Sequence, residues 1–145
     1  MLSPTNVGGG AMRWFGKQKP AEVWDEPIQW PLGDIEAAER IRSICRSAAD
    51  SAEFVGGHAA RADDTKRSEQ KQHEVEAARY QRAAKAAMEI AMKLSDALMR
   101  DAAVREIVDL CLTAGDVRTA RILFRAIQAP AIRDPMLIEH PELLP

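Results

Sequence analysis

Cys45 and Cys111, His58 and His73, and the run Arg118, Arg121 and Arg125 are the side chains of this 145-residue chain whose types and spacing could do chemistry. Metal binding by thiolates or imidazoles needs CxxC-like pairs or an HExxH helix, and neither spacing occurs. Each cysteine falls on the apolar side of a helical pattern, which predicts a reduced, buried thiol. The two histidines lie in a polar stretch, which predicts surface positions. Acid–base catalysis needs a carboxylate whose pKa is raised by desolvation. The acids here lie mostly among bases on helix surfaces, and the adjacent pair Asp63-Asp64 sits in the polar stretch. No glycine-rich phosphate loop or nucleophile elbow appears. The expectation is a protein that is not an enzyme, without catalytic residues, cofactor or metal.

The arginines belong to residues 102–130, which read as helix, Gly-Asp turn, helix, proline. Arg118, Arg121 and Arg125 share one face of the second helix, as the recognition helix of a helix-turn-helix would present to DNA. Arg121 stands where that motif buries an apolar residue, and Asp109, Asp116 and Asp134 dilute the positive field. A solvated or internally paired arginine face is the favoured reading. With Ala114-Gly115-Asp116, Ala120, Phe124 and a terminating Pro130, the same segment resembles a tetratricopeptide-type helical hairpin. Val104 and Ile127 depart from that pattern and no second copy is present, so the resemblance implies a helical hairpin and no repeat array.

These residues must be positioned by helices. Residues 77–99, rich in Ala and Met, contain no Gly, no Pro and one β-branched residue, which predicts a long central helix. Ala77, Tyr80, Ala84, Ala87, Ala91, Leu94 and Leu98 form its apolar face, and Met88, Met92 and Met99 widen it. A first helix over residues 34–55 presents Ile35, Ala38, Ile41, Ile44, Cys45, Ala48, Ala52 and Val55, and is a natural antiparallel partner. Asp34 is expected to cap it and Gly56-Gly57 to stop it. Residues 58–76 are almost wholly polar and predict frayed helix beyond about Lys66. Past Arg100 the stripe changes phase, which predicts a fresh start capped by Asp101. Helices over 102–114 and 117–129 follow, divided by Gly115 and a cap at Asp116.

Pro20, Pro27 and Pro31 exclude a long helix before residue 33. Residues 1–33 are expected to be a disordered or extended arm, with residues 1–11 disordered and Met12 a candidate start. Trp14, Trp24 and Trp30 all lie in this arm. Trp24, Ile28 and Trp30 fit two uses, covering the helices or anchoring in a partner's pockets. Residues 34–130 form the bundle domain, and residues 131–145 a proline-punctuated extended tail. The fold class is all-α: a three- to four-helix bundle with a C-terminal helical hairpin.

A formal charge of −2 gives no overall pull towards nucleic acid, and no apolar run is long enough to span a bilayer. The expected location is cytoplasmic. Apolar helix face around Met88, Met92 and Met99 exceeds what the neighbouring helices obviously cover. With the three tryptophans it forms the expected contact surface of an interaction or assembly protein, whose partner is another protein or a second copy. The alternatives are a small DNA-binding regulator using Arg118, Arg121 and Arg125, and an accessory component of a phage or mobile element.

Overall fold

The computed structural model describes residues 22–60 and 67–145, and side chains at 58–60 are left aside. Five α-helices occur among these residues: α1 (Asp34–Ala60), α2 (Arg67–Ala91), α3 (Ala97–Thr113), α4 (Val117–Phe124) and α5 (Pro130–Glu139). Short 310 turns stand at Val23–Asp25 and Pro141–Leu143. The fold is the expected all-α bundle. α1 and α2 run antiparallel: Ser51 late in α1 meets Glu76 early in α2, while Asp34 at the start of α1 meets residues 95 and 96 just past α2. Ile41, Ile44, Ala48, Ala83, Ala87, Val104, Ile107 and Val108 form the shared core. Alanines on α1 and α2 let their axes approach closely, so the core is narrow and aliphatic.

The central helix is not continuous to Met99. α2 ends at Ala91, and residues 92–96 turn the chain into α3. The Asp96 side chain caps α3 by accepting from the Met99 N–H at 2.9 Å. The Asp34 carboxylate accepts from the Ser95 and Asp96 N–H groups, each at 2.9 Å. A Ser-Asp pair offers cap hydrogen bonds that a helix interior cannot use, and these outweigh the good propensities around them. Asp34 thus serves a turn 61 residues away instead of its own helix. At the start of α1, Gly33 takes the cap position, with its N–H given to the Glu36 carboxylate at 3.2 Å. The expected new start at Asp101 is corrected with it. Asp101 is buried in the first turns of α3 and accepts from the Gln128 and Ala129 N–H groups at 3.1 and 2.9 Å. Its place in the apolar stripe is explained by its holding, from α3, the backbone N–H groups of the connection that leads into α5.

Gly56 and Gly57 do not stop α1, which runs through them to Ala60. A Cβ on Gly56 would collide with the Thr113 carbonyl oxygen, whereas one on Gly57 would meet nothing. Gly56 lets the end of α3 dock on α1, so its use is close approach. α3 itself ends in a Schellman motif: Asp116 N–H reaches the Cys111 carbonyl and Gly115 N–H the Leu112 carbonyl. Gly115 adopts φ +75°, as the left-handed position requires. Asp116 then caps α4 by accepting from the Thr119 N–H at 3.2 Å, as expected.

The second helix of the hairpin stops at Phe124, short of residue 129, and the tail is not extended. Pro130, read as a terminator, is the first residue of α5, where a missing N–H costs nothing. Pro135 lies inside α5 and removes one backbone bond, yet Met136 is fully buried and Leu143 nearly so. Burial of those two side chains folds the tail back on the hairpin, each contributing on the order of 1.5–3 kcal/mol.

Residues 22–33 lie along the bundle. Trp24 is buried, with the Arg79 guanidinium 5.1 Å from its ring centroid, and Ile28 and Leu32 pack on the core edge. The indole N–H of Trp24 is buried and has no hydrogen-bond partner among the described residues. Arg79 also holds Glu22 at 2.8 and 3.0 Å and bonds the buried Ser51 hydroxyl, tying this segment to α1 and α2. Trp14, Asp63-Asp64 and residues 1–11 lie outside the described residues.

Candidate interaction surface

The lower end of the bundle is built from the start of α1, the turn at residues 92–96 and the start of α3. The paired hydrogen bonds from Ser95 and Asp96 to Asp34 lock these pieces together, and they hold the Asp34 carboxyl below the ordinary aspartate range. Trp30 joins them, with the Lys93 ammonium 4.5 Å from its ring centroid. A hollow of about 650 Å³ opens here, with Leu32, Ile35 and Met99 among its walls. Around this end, large apolar side chains stay in water: Ile35 is 69 % exposed, Met92 63 %, Leu98 57 % and Trp30 42 %. Ile35 heads the expected core stripe of the first helix, but it points outward, and Ala37 takes the buried place.

A second surface lies between α2 and α4. The Tyr80 hydroxyl donates to the Asp116 carboxylate at 2.8 Å and joins the two helices at one point. Beside that bond is a cleft of about 210 Å³ with Ala84 and Met88 on the α2 wall and Leu123 on the α4 wall. Lys85 stands at its rim and makes no ion pair among the described residues. Burial raises the Tyr80 phenol well above its ordinary value, so it stays a neutral donor.

The expected contact residues divide among these places. Met92 and Trp30 are exposed at the bundle end, Met99 is half-buried in its hollow, and Met88 is half-buried in the cleft. Trp24 is in the core, and Trp14 lies outside the described residues. The arginine face is split. The Arg121 Nε donates to the Glu142 carbonyl at 2.7 Å, holding the C-terminal turn, whereas Arg118 and Arg125 are exposed and bracket Ile122 on the outer face of α4.

Nucleophilic chemistry finds little support in the thiols. Burial pushes Cys45 up to about 12 and Cys111 up to about 11, so both are protonated at neutral pH. Among the described residues no group of three or more His, Cys, Asp or Glu side chains is arranged to hold a metal ion. Among them also, no helix is long and apolar enough to cross a membrane. Reasoning from sequence missed the Asp34 bridge and the Ser51–Arg79–Glu22 cluster. The Ser95-Asp96 capping pair was visible locally; the 61-residue reach of Asp34 had no local signal. Comparisons of the chain with protein-family models, curated proteins and solved structures found no match.

Proposed function

We propose that this is a non-catalytic helical interaction protein of the cytoplasm that self-associates, or docks on a larger complex, through the apolar end of its bundle. The observation that carries this reading is the set Ile35, Met92, Leu98 and Trp30, left in water around a turn that the Asp34 hydrogen bonds hold rigid. Single exposed apolar residues are ordinary; several gathered on one braced end make a surface whose burial is favourable. Methionine at such a place adapts to the shape it meets. Bracing also matters, since a pre-ordered surface loses less entropy on association.

Native mass spectrometry of the whole chain tests the reading, with Met92→Glu and Ile35→Lys beside the parent. Self-association predicts an oligomer for the parent and a lower mass for both variants, with unchanged helical circular dichroism because both residues are already solvent-exposed. A parent that runs as a monomer at every concentration removes the self-association reading.

A further inference from the structure

We propose that the seam between α1 and α2 is a groove for an acidic, tryptophan-bearing segment, filled in the self-associated protein by residues 22–33 of a second copy. The strap is thus exchanged between copies. This rests on reading the bundle end as a self-association surface, and it adds what one copy gives the other.

The structure displays what the groove takes, because the chain's own strap is seated there. Trp24 is the buried anchor, and Val23, Ile28 and Leu32 pack against the core beside it. Glu22 meets Arg79 at 2.8 and 3.0 Å, Asp25 meets Arg82 at 3.9 Å, and Glu26 meets Arg40 at 3.7 Å. In each pair the acid is on the strap and the arginine is on α1 or α2. Glu76, the acid beside Arg79, already accepts from the Ser51 hydroxyl and the Gln72 amide. One aromatic anchor between complementary charges fixes both the identity and the register of the segment. A second copy carries the same segment, so it fits as well as the first.

The way the strap is held permits exchange. Among the described residues no backbone-to-backbone hydrogen bond joins 22–32 to a helix; instead the Arg40 guanidinium reaches the Val23 and Glu26 carbonyls. The Trp24 indole N–H and the Arg40 Nε are buried without a partner among those residues, so lifting the strap gives both groups water. The strap joins α1 at Gly33, beside the exposed Trp30, Ile35, Met92 and Leu98, which puts the hinge at the apolar end. Its far end lies between the levels of Arg40 and Ser51, no more than about 25 Å along α1 from Asp34. Residues 22–33 extend to about 32 Å with their 310 turn kept. The excess of about 7 Å carries the strap across to a second bundle end in contact with the first. Closed and exchanged forms make the same strap contacts, but the exchanged form also buries two apolar ends, and that difference drives association.

Cross-linking between copies of the whole chain tests the exchange. Asp25→Cys and Arg82→Cys each replace an exposed side chain, and the two positions face one another across the strap and α2. Chains carrying one substitution each are co-expressed, oxidised with copper phenanthroline and separated under denaturing, non-reducing conditions. Exchange predicts a disulfide-linked pair of chains from Asp25→Cys with Arg82→Cys. Asp25→Cys with Arg118→Cys, on the outer face of α4, should give an amount about tenfold lower, since no seating raises the local concentration. One chain carrying both Asp25→Cys and Arg82→Cys should yield dimers, whereas a strap that stays on its own bundle closes the disulfide within a monomer. A yield no greater than with Arg118→Cys, or closure only within single chains, overturns the proposal. An oligomer by native mass spectrometry whose doubly substituted chain closes only within itself keeps self-association and removes exchange. Linkage between copies that survives Ile35→Lys keeps exchange and removes the apolar end as its cause.

Discussion

The Asp34 carboxylate at the head of α1 receives the N–H groups of Ser95 and Asp96, while Asp96 in turn receives the N–H of Met99. Two aspartates in series thus carry the chain from α2 into α3 and fasten that turn to α1. The exposed apolar end of the bundle stands on this brace.

Acid should release it. The Asp34 pKa is lowered by the Ser95 and Asp96 N–H groups, so the unfolded chain takes up the proton first as pH falls. Its contribution is complete above the ordinary aspartate value of 3.8 and disappears as pH drops below that through the lowered folded pKa. Thermal melts of the parent and Asp34→Ala should differ at neutral pH and converge in strong acid. A difference in melting temperature that stays constant down to pH 2 would show that the carboxylate charge is irrelevant.

Neighbouring glycines should respond in opposite ways. Gly56→Ala drives a methyl group into the Thr113 carbonyl and should destabilise by about 1–3 kcal/mol through overpacking. Gly57→Ala meets open space inside a helix and should stabilise by about 0.5–1 kcal/mol. Urea titrations at constant slope measure both. Equal effects from the two substitutions would mean that α3 does not rest on Gly56.

The thiols should set part of the alkaline limit. Unfolded cysteine ionises near 9.0, whereas burial holds Cys45 to about 12 and Cys111 to about 11. Below pH 9 both states are protonated and nothing changes. As pH rises past that value only the unfolded chain ionises, so stability falls. Unfolding midpoints of the parent should decline more steeply above pH 9 than those of Cys45→Ala/Cys111→Ala. Parallel declines would mean that the thiols ionise alike in both states.

Local periodicity accounts for most of what the sequence revealed. Ile41, Ile44, Ala48 and Ala52 recur at helical spacing and are buried as that spacing requires, and Gly115-Asp116 closes one helix and caps the next as its residue types demand. These outcomes depend on contacts within a few residues, so one window of sequence contains their causes. The all-α class, the antiparallel first pair and the hairpin turn were therefore determined by the chain read alone.

Tertiary structure decided the rest, because the same residue type serves different partners at different distances. Asp34 could cap its own helix or a turn far along the chain, and only packing of α1 beside α3 brought Ser95 within reach. Asp101 could begin a helix or be buried beneath the connection between two others, and the turn between α4 and α5 brought the Gln128 and Ala129 N–H groups to it. Gly56 could end a helix or admit a neighbouring backbone, a choice set by the position of Thr113. The exposure of Ile35 and Met92 and the open cleft beside Met88 are likewise properties of how the helices meet. Local sequence limits what each residue is able to do; long-range packing selects which of those possibilities lowers the free energy most.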